Sequence, residues 1–265
     1  MLDANTFSLK GSFAPNYSNY TSGGTAYCLE RGCEFVRFVN TSNRVRVLPI
    51  TNCVSERTGA ERYTDVAPST SYVGRNYARP QNTNAMCPNE EVVPLSSDRN
   101  MLNTRIAAMQ ASGYTAGHIG IAWGWYMVSP NFGYLWPSAE RRPAPYNAPE
   151  TLKIVVLMTD GAFNTGYCND VISADSSTGG SERVNCNMTN GSPYAQAQSL
   201  CTAMKSTGVV VYTVGFGLAG DTTTQNLMRN CATTPSHAYL SENGEQLRMA
   251  FQAIAASITQ LRITR

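Results

Sequence analysis

The chain has 265 residues, of which 42% are hydrophobic and 14% charged, with a formal net charge of +2. There is apolar material for a sizeable core, but neither the basic stripe of a nucleic-acid binder nor the polybasic patch of a membrane-surface protein. No stretch reaches the ~18–20 apolar residues of a transmembrane helix, and MLDANTFSLKGSF lacks the basic and apolar regions of a secretory signal.

Residues 1–33 are polar and aromatic-rich, without sustained periodicity. EFVRFV (34–39) and NRVRVLPI (43–50) predict two short strands around a polar turn at Asn40–Asn43, a hairpin. Residues 51–94, rich in Pro, Asn, Thr and Tyr, predict a long irregular insertion stapled by cysteines; loops of this length are usually functional or specially constrained. Regular structure begins at Ser97–Asp98. Ser97 is placed to cap a helix whose Leu102, Ile106 and Met109 share one face, and Gly113 ends it. Thr115 precedes a second helix carrying Ile119, Ala122, Trp123 and Met127, and residues 130–150 read as a Pro- and aromatic-rich loop.

KIVVLMTDGAFNTGY (153–167) is the most informative stretch. The apolar run Ile154–Met158 predicts a strand buried on both faces, as in a parallel sheet covered by helices. It ends in Thr159, Asp160 and Gly161, which places a carboxylate at the carboxyl end of a strand, where open α/β sheets hold their ligands. Gly161 allows a sharp turn beside it. The plainer alternative is a solvated aspartate that merely starts a turn.

A polar, Cys-bounded loop is expected at 166–192. Pro193 opens, and Gly208 closes, the helix in SPYAQAQSLCTAMKSTG. VVVYTVGFG (209–217) predicts a second buried strand ending in a glycine turn. A short helix around Thr223–Cys231, a strand at Ala238–Leu240 and a final helix with Leu247, Phe251, Ile254, Ile258 and Leu261 on one face complete the chain. Asn243 and Gln246 suit a capping arrangement at its start. Strands alternating with helices from residue 97 onward predict a doubly wound α/β domain.

The eight cysteines contain no CxxC pair and accompany only two histidines, which argues against zinc. An even count in loop-rich sequence fits disulfides and an oxidising compartment. Connectivity is not readable from sequence; Cys168–Cys186 closing a Ser/Gly-rich loop and Cys201–Cys231 tying two helices are the pairings expected, with free buried thiols the alternative. His118 reads as a capping and packing residue rather than a catalytic base, because no nucleophile or acid partner accompanies it. Trp123 and Trp125 read as core.

VVLMTDGAFN followed about 50 residues later by VVVYTVGFG resembles the fourth and fifth strands of a von Willebrand factor A domain. PLSSDRNMLNTRIAAMQASGYTAGHIGIAWGWYMVSP, NCVSERTGAERYTDVAP and the terminal NCATTPSHAYLSENGEQLRMAFQAIAASITQLRITR resemble bacterial Flp (tight-adherence) pilus assembly proteins of the TadG-like family, over roughly residues 50–265. The resemblance implies an A-domain fold, a periplasmic location with an inner-membrane anchor upstream, and no enzymatic activity. It also implies a divalent cation, Mg²⁺ or another, at the strand ends, ligated by Thr115 and Asp160, with Gly161 and Asn164 shaping a partner's approach. The implied partners are other pilus-assembly or envelope proteins, not nucleic acid.

The chain departs from that pattern in having no DxSxS motif after an apolar strand. The nearest string, Asp175-Ser176-Ser177-Thr178-Gly179, reads as loop with no strand ahead of it. The family's first strand and its metal loop are therefore expected upstream of Met1, and the cation site is expected to be weak or absent in this chain alone, since Mg²⁺ dehydrates reluctantly. The expected organisation is a loop-rich, Cys-containing insertion at 1–95 and an N-terminally incomplete A-like domain at 96–265. The rival reading is a metal-independent adhesin or structural envelope protein that uses the loops of residues 1–95.

Overall fold

Two of the apolar runs lie side by side. The structure, a computed structural model, describes residues 35–39, 45–57, 59–77, 90–111, 115–136, 138–168, 172–175, 188 and 190–263. In chain order its regular elements are β1 (Phe35–Val39), β2 (Val45–Val54), β3 (Arg75–Tyr77), α1 (Arg99–Ala108), α2 (Gly117–Val128), β4 (Ile154–Thr159), β5 (Thr165–Cys168), β6 (Ile172–Asp175), α3 (Pro193–Ser206), β7 (Val210–Phe216), α4 (Thr222–Cys231), β8 (Ala238–Ser241) and α5 (Gly244–Ile263). The class is α/β.

Strands β4, β7 and β8 form a parallel sheet in that order, with Ile154 opposite Val210 and Thr213 opposite Ala238. Parallel neighbours need long crossovers, and α3 and α4 supply them. Pro193 and Gly208 bound α3 as the sequence suggests: Ser192 Oγ accepts from the Ala195 N–H, and Gly208 takes the left-handed conformation at φ +84°. One face of the sheet, with Val155, Leu157 and Val211, packs on Ile121 and Trp125 of α2 and on Leu200 and Met204 of α3. The other face buries Tyr212 and Val214 against Ile254 of α5. At the head of α5, Asn243 Oδ1 accepts from the Gln246 N–H while Gln246 Oε1 accepts from the Glu242 N–H, a reciprocal cap.

At the amino end of β4, Lys153 is buried with its ammonium donating to the carbonyls of Val128 and Ala144 at 2.7 and 2.6 Å, and burial lowers its pKa. The expected bridge between Cys201 and Cys231 is present, both half-cystines fully buried, and ties α3 to α4. Cys53 is disulfide-bonded as well. The expected Cys168–Cys186 pairing falls outside the described residues.

The hairpin expected near residue 40 is present as β1 and β2, antiparallel, with Phe35 opposite Pro49 and Val39 opposite Val45. It belongs to a second sheet ordered β1-β2-β3-β6-β5. In that sheet Tyr77 pairs with Ile172, so chain from both sides of residue 95 shares one sheet.

Four expectations need correction. The stretch 166–192 contains the antiparallel hairpin β5–β6 rather than loop alone. It follows that Asp175 of the DSSTG string does end a strand. Helix α1 is capped by Asp98, whose carboxylate accepts from the N–H groups of Asn100 and Met101, not by Ser97; it stops at Ala108 and buries no residue, leaving Ile106 62% exposed. Strand β4 is fully covered on one face and only partly on the other. Val156 and Met158 are 40% and 50% exposed, although their register partners Tyr212 and Val214 are fully buried. Helix α5 lies over β7 and β8; Ile154 at the start of β4 packs against the same cluster, while Val156 and Met158 stay exposed.

Candidate functional site

The segment that follows the carboxyl end of β4 meets the loop before α2. Thr159 Oγ1 donates to the Gly161 carbonyl at 2.9 Å and closes the turn that carries Asp160. Asp160 is exposed and makes no hydrogen bond or ion pair with the described residues. Three residues beyond Gly161, Asn164 ties this turn to the α2 loop. Thr115 N–H donates to Asn164 Oδ1 at 2.8 Å, while the Thr115 carbonyl accepts from the N–H groups of Asn164 and Thr165 at 3.0 and 3.2 Å. Thr165 Oγ1 also donates to Asn164 Oδ1 at 3.0 Å. Thr115, Asp160, Gly161 and Asn164, singled out at distant positions in the sequence, therefore belong to two loops stitched together at one end of the sheet.

Two features that sequence reading misses hold this end rigid. The first is a relay of hydrogen bonds: Phe163 N–H donates to Tyr194 Oη at 3.1 Å, Tyr194 O–H to Thr224 Oγ1 at 2.6 Å, and Thr224 O–H to Asp221 Oδ2 at 2.5 Å. It links the turn after β4 to the start of α4. The hydroxyl and the Thr224 N–H together hold the Asp221 carboxyl below its ordinary value, because both donate to its charged form. The second is Gly117. A Cβ there would lie 2.1 Å from the Phe163 ring, so only glycine lets the first turn of α2 sit on Phe163.

Behind this face lies a buried polar hub. Glu56, 3% exposed, receives on Oε1 the His118 Nε2–H at 2.8 Å, the Gln196 amide at 2.9 Å and the Tyr167 N–H at 3.1 Å. Its Oε2 receives the Asn190 amide at 3.0 Å. A carboxylate only accepts, so His118 carries its proton on Nε2. Burial, reinforced by Glu56, pushes the Tyr167 phenol up. Beside the hub, the guanidinium of Arg57 lies 5.4 and 5.6 Å from the Tyr126 and Phe132 ring centres, and burial lowers its pKa. His118 is 1% exposed with its proton committed to Glu56, an arrangement that packs and orients α2. No motif in SERTGAER announces this role for Glu56; the only signal is an acidic residue close to a cysteine.

Among the described residues no cluster of at least three His, Cys, Asp or Glu side chains could hold a metal. The nearby carboxylate of Asp221 is engaged by Thr224.

No family model and no curated protein matches the chain. Among solved structures it is similar to the pilus adhesin SpaC from Lactobacillus rhamnosus GG, with 16% identity and a TM-score of 0.41, covering 62% of this chain and 21% of that one. The chain thus spans about a fifth of the adhesin's length, and a likeness of this size carries no argument about activity or partner. Among the described residues, no helix is long and apolar enough to cross a membrane.

Proposed function

We propose that this chain is a non-enzymatic, protein-binding component of a bacterial cell envelope, related to the TadG-like proteins of tight-adherence pilus assembly, with a von Willebrand factor A-like fold. In this reading it works in the periplasm, associated with the inner membrane through its family's upstream anchor. Its partners are pilus-assembly or envelope proteins, which approach the strand-end face over Asp160, Gly161 and Asn164. The observation that carries the reading is the reciprocal bonding of Thr115 with Asn164, which sets the loop before α2 against the Thr159-Asp160-Gly161 turn. Ligands of open α/β sheets bind at such strand ends. A divalent cation would be held there by Asp160 and Thr115 and would attract a partner's carboxylate; with so few ligands its affinity in this chain is low.

Immobilised protein is tested against purified tight-adherence pilus subunits, beside its Asp160→Ala and Asn164→Ala variants. Binding that falls about tenfold or more in both variants, a loss of roughly 1.4 kcal/mol, supports the reading. Equal binding by all three removes the strand-end face from it. Titration calorimetry with Mg²⁺ and Mn²⁺ addresses the cation separately.

A further inference from the structure

Two asparagines of the chain are followed by glycine, in Asn190–Gly191 and Asn243–Gly244. An asparagine in that position can react with its own backbone, because the glycine nitrogen has no side chain beside it to block the approach. The reaction needs that nitrogen free to attack and the side-chain amide free to turn and leave. At Asn190 the fold withholds both. The amide nitrogen donates to Glu56 Oε2 and to the Arg57 carbonyl at 3.0 and 2.8 Å, and the Gly191 N–H donates to the Met188 carbonyl at 3.1 Å. At Asn243 both are available. Residues 243 and 244 are exposed. The Gly244 N–H opens α5, where no intrahelical acceptor exists, and it makes no hydrogen bond among the described residues. The Asn243 side chain is engaged only through Oδ1, which accepts from the Gln246 N–H at 3.0 Å and so draws electron density from Cγ, the atom attacked.

We propose that Asn243 is a site of spontaneous deamidation, through which the head of α5 loosens as the protein ages. The Gly244 nitrogen attacks Cγ of Asn243 and forms an N–C bond. The side-chain nitrogen leaves as ammonia, taking with it the proton of the Gly244 N–H. Water then opens the five-membered imide. Cleavage of the new N–Cγ bond gives aspartate; cleavage of the original peptide bond gives isoaspartate, whose main chain runs through the β-carbon. The two products act oppositely on α5. Aspartate caps a helix as well as asparagine does, and its charge suits a helix N-terminus. Isoaspartate adds an atom to the main chain, so the cap on the Gln246 N–H and the bond from the Leu247 N–H to the residue 243 carbonyl both lose their register. Leu247 packs with Ile254 on Tyr212 and Val214, so it is the first core contact that this fraying reaches.

Peptide mapping of folded protein held in mildly alkaline buffer is the test, with the aspartyl and isoaspartyl forms of the tryptic peptide 230–248 separated by chromatography. Asn243 is expected to convert at least roughly tenfold faster than Asn190, which must first give up a hydrogen bond to a carboxylate. In urea, where the fold protects neither, the two convert at similar rates. Gly244→Ala hinders the nucleophile and slows conversion of Asn243; nothing lies within 4 Å of the added Cβ, so this variant keeps the fold. Hydrogen exchange at the Gln246 and Leu247 amides rises in the isoaspartyl fraction and stays at the wild-type rate in Asn243→Asp. Asn190 converting as fast as Asn243 in the folded protein overturns the proposal. So does an Asn243 that stays intact in the folded protein while it converts in urea. An isoaspartyl fraction with wild-type exchange at Gln246 and Leu247 overturns the loosening of α5.

Discussion

Glu56→Gln isolates the charge of the buried hub at almost no cost in volume. If the new amide oxygen takes the place of Oε1, it still accepts from His118, Gln196 and Tyr167, but the amide nitrogen then faces the Asn190 amide, donor against donor. A buried donor left without an acceptor costs about 1–3 kcal/mol, and the three remaining bonds lose their charge assistance. The outcome expected is a loss of about 2–3 kcal/mol on those grounds. Glu56→Ala strands every donor at once and leaves a void, so a larger loss than for Glu56→Gln is expected. Urea unfolding with disulfides intact, followed by circular dichroism and tryptophan fluorescence, gives the midpoint shift at constant slope. The exposed Glu91→Gln serves as the control and should move stability by under about 0.5 kcal/mol. If Glu56→Gln behaves like that control, the hub does not hold α2 and α3 together and the reasoning is refuted.

Gly117→Ala sets a gain in helix propensity of at most about 1 kcal/mol against a methyl group placed inside the Phe163 ring. Overpacking costs about 1–3 kcal/mol or more, so net destabilisation with altered exchange at Asn164 and Thr165 is expected; a stabilised variant would contradict the contact. Replacing Cys201 and Cys231 together by alanine releases a loop with a sequence separation of 30. The chain-entropy model puts the loss near ~3.5 kcal/mol, and a thermal midpoint within error of wild type would count against it. The lowered pKa of Asp221 has a definite sign. Its folded value lies below the ordinary 3.8, so its contribution is complete above about pH 5 and is lost as the pH falls through the unfolded value and then the folded one. Thr224→Val removes the hydroxyl donor, so the acid limb of its stability profile should be shallower than that of wild type between about pH 5 and 2; identical limbs would show that the hydroxyl does not set the shift.

The second half of the fold is legible because its signals are local. Pro193 and Gly208 bracket α3, Asn243 and Gln246 cap α5, and VVVYTVG admits little but a buried strand. Strand β4 shows where legibility ends. A run of apolar residues looks the same whether both faces are covered or one is bare, and coverage depends on where α5 lies, which Ile154–Met158 does not encode. α1 misleads for the same reason: Leu102, Ile106 and Met109 keep a helical spacing but meet no described core. β5 was hidden by its brevity, Thr-Gly-Tyr-Cys reading equally well as loop. At the strand-end face, Asp160 stands out at the end of an apolar run, and Thr115 only through the family resemblance. The hub does not, because Glu56 draws its partners from 62, 111, 134 and 140 residues away. Long-range hydrogen bonds leave no periodicity behind them.

The Cys201–Cys231 bridge sits at the bottom of the core, its half-cystines fully buried between α3 and α4. Neither an oxidant nor a reductant can touch sulfur in that position while the helices are docked. The bond must therefore form during assembly, before β7 is roofed over, and afterwards it can be cleaved only when the domain opens. Thiol–disulfide exchange at this site then runs at the frequency of large-scale opening and not at the intrinsic speed of the reagent. With enough dithiothreitol the observed rate should stop depending on its concentration. That plateau would be a direct reading of how often the whole α3–α4 region comes apart.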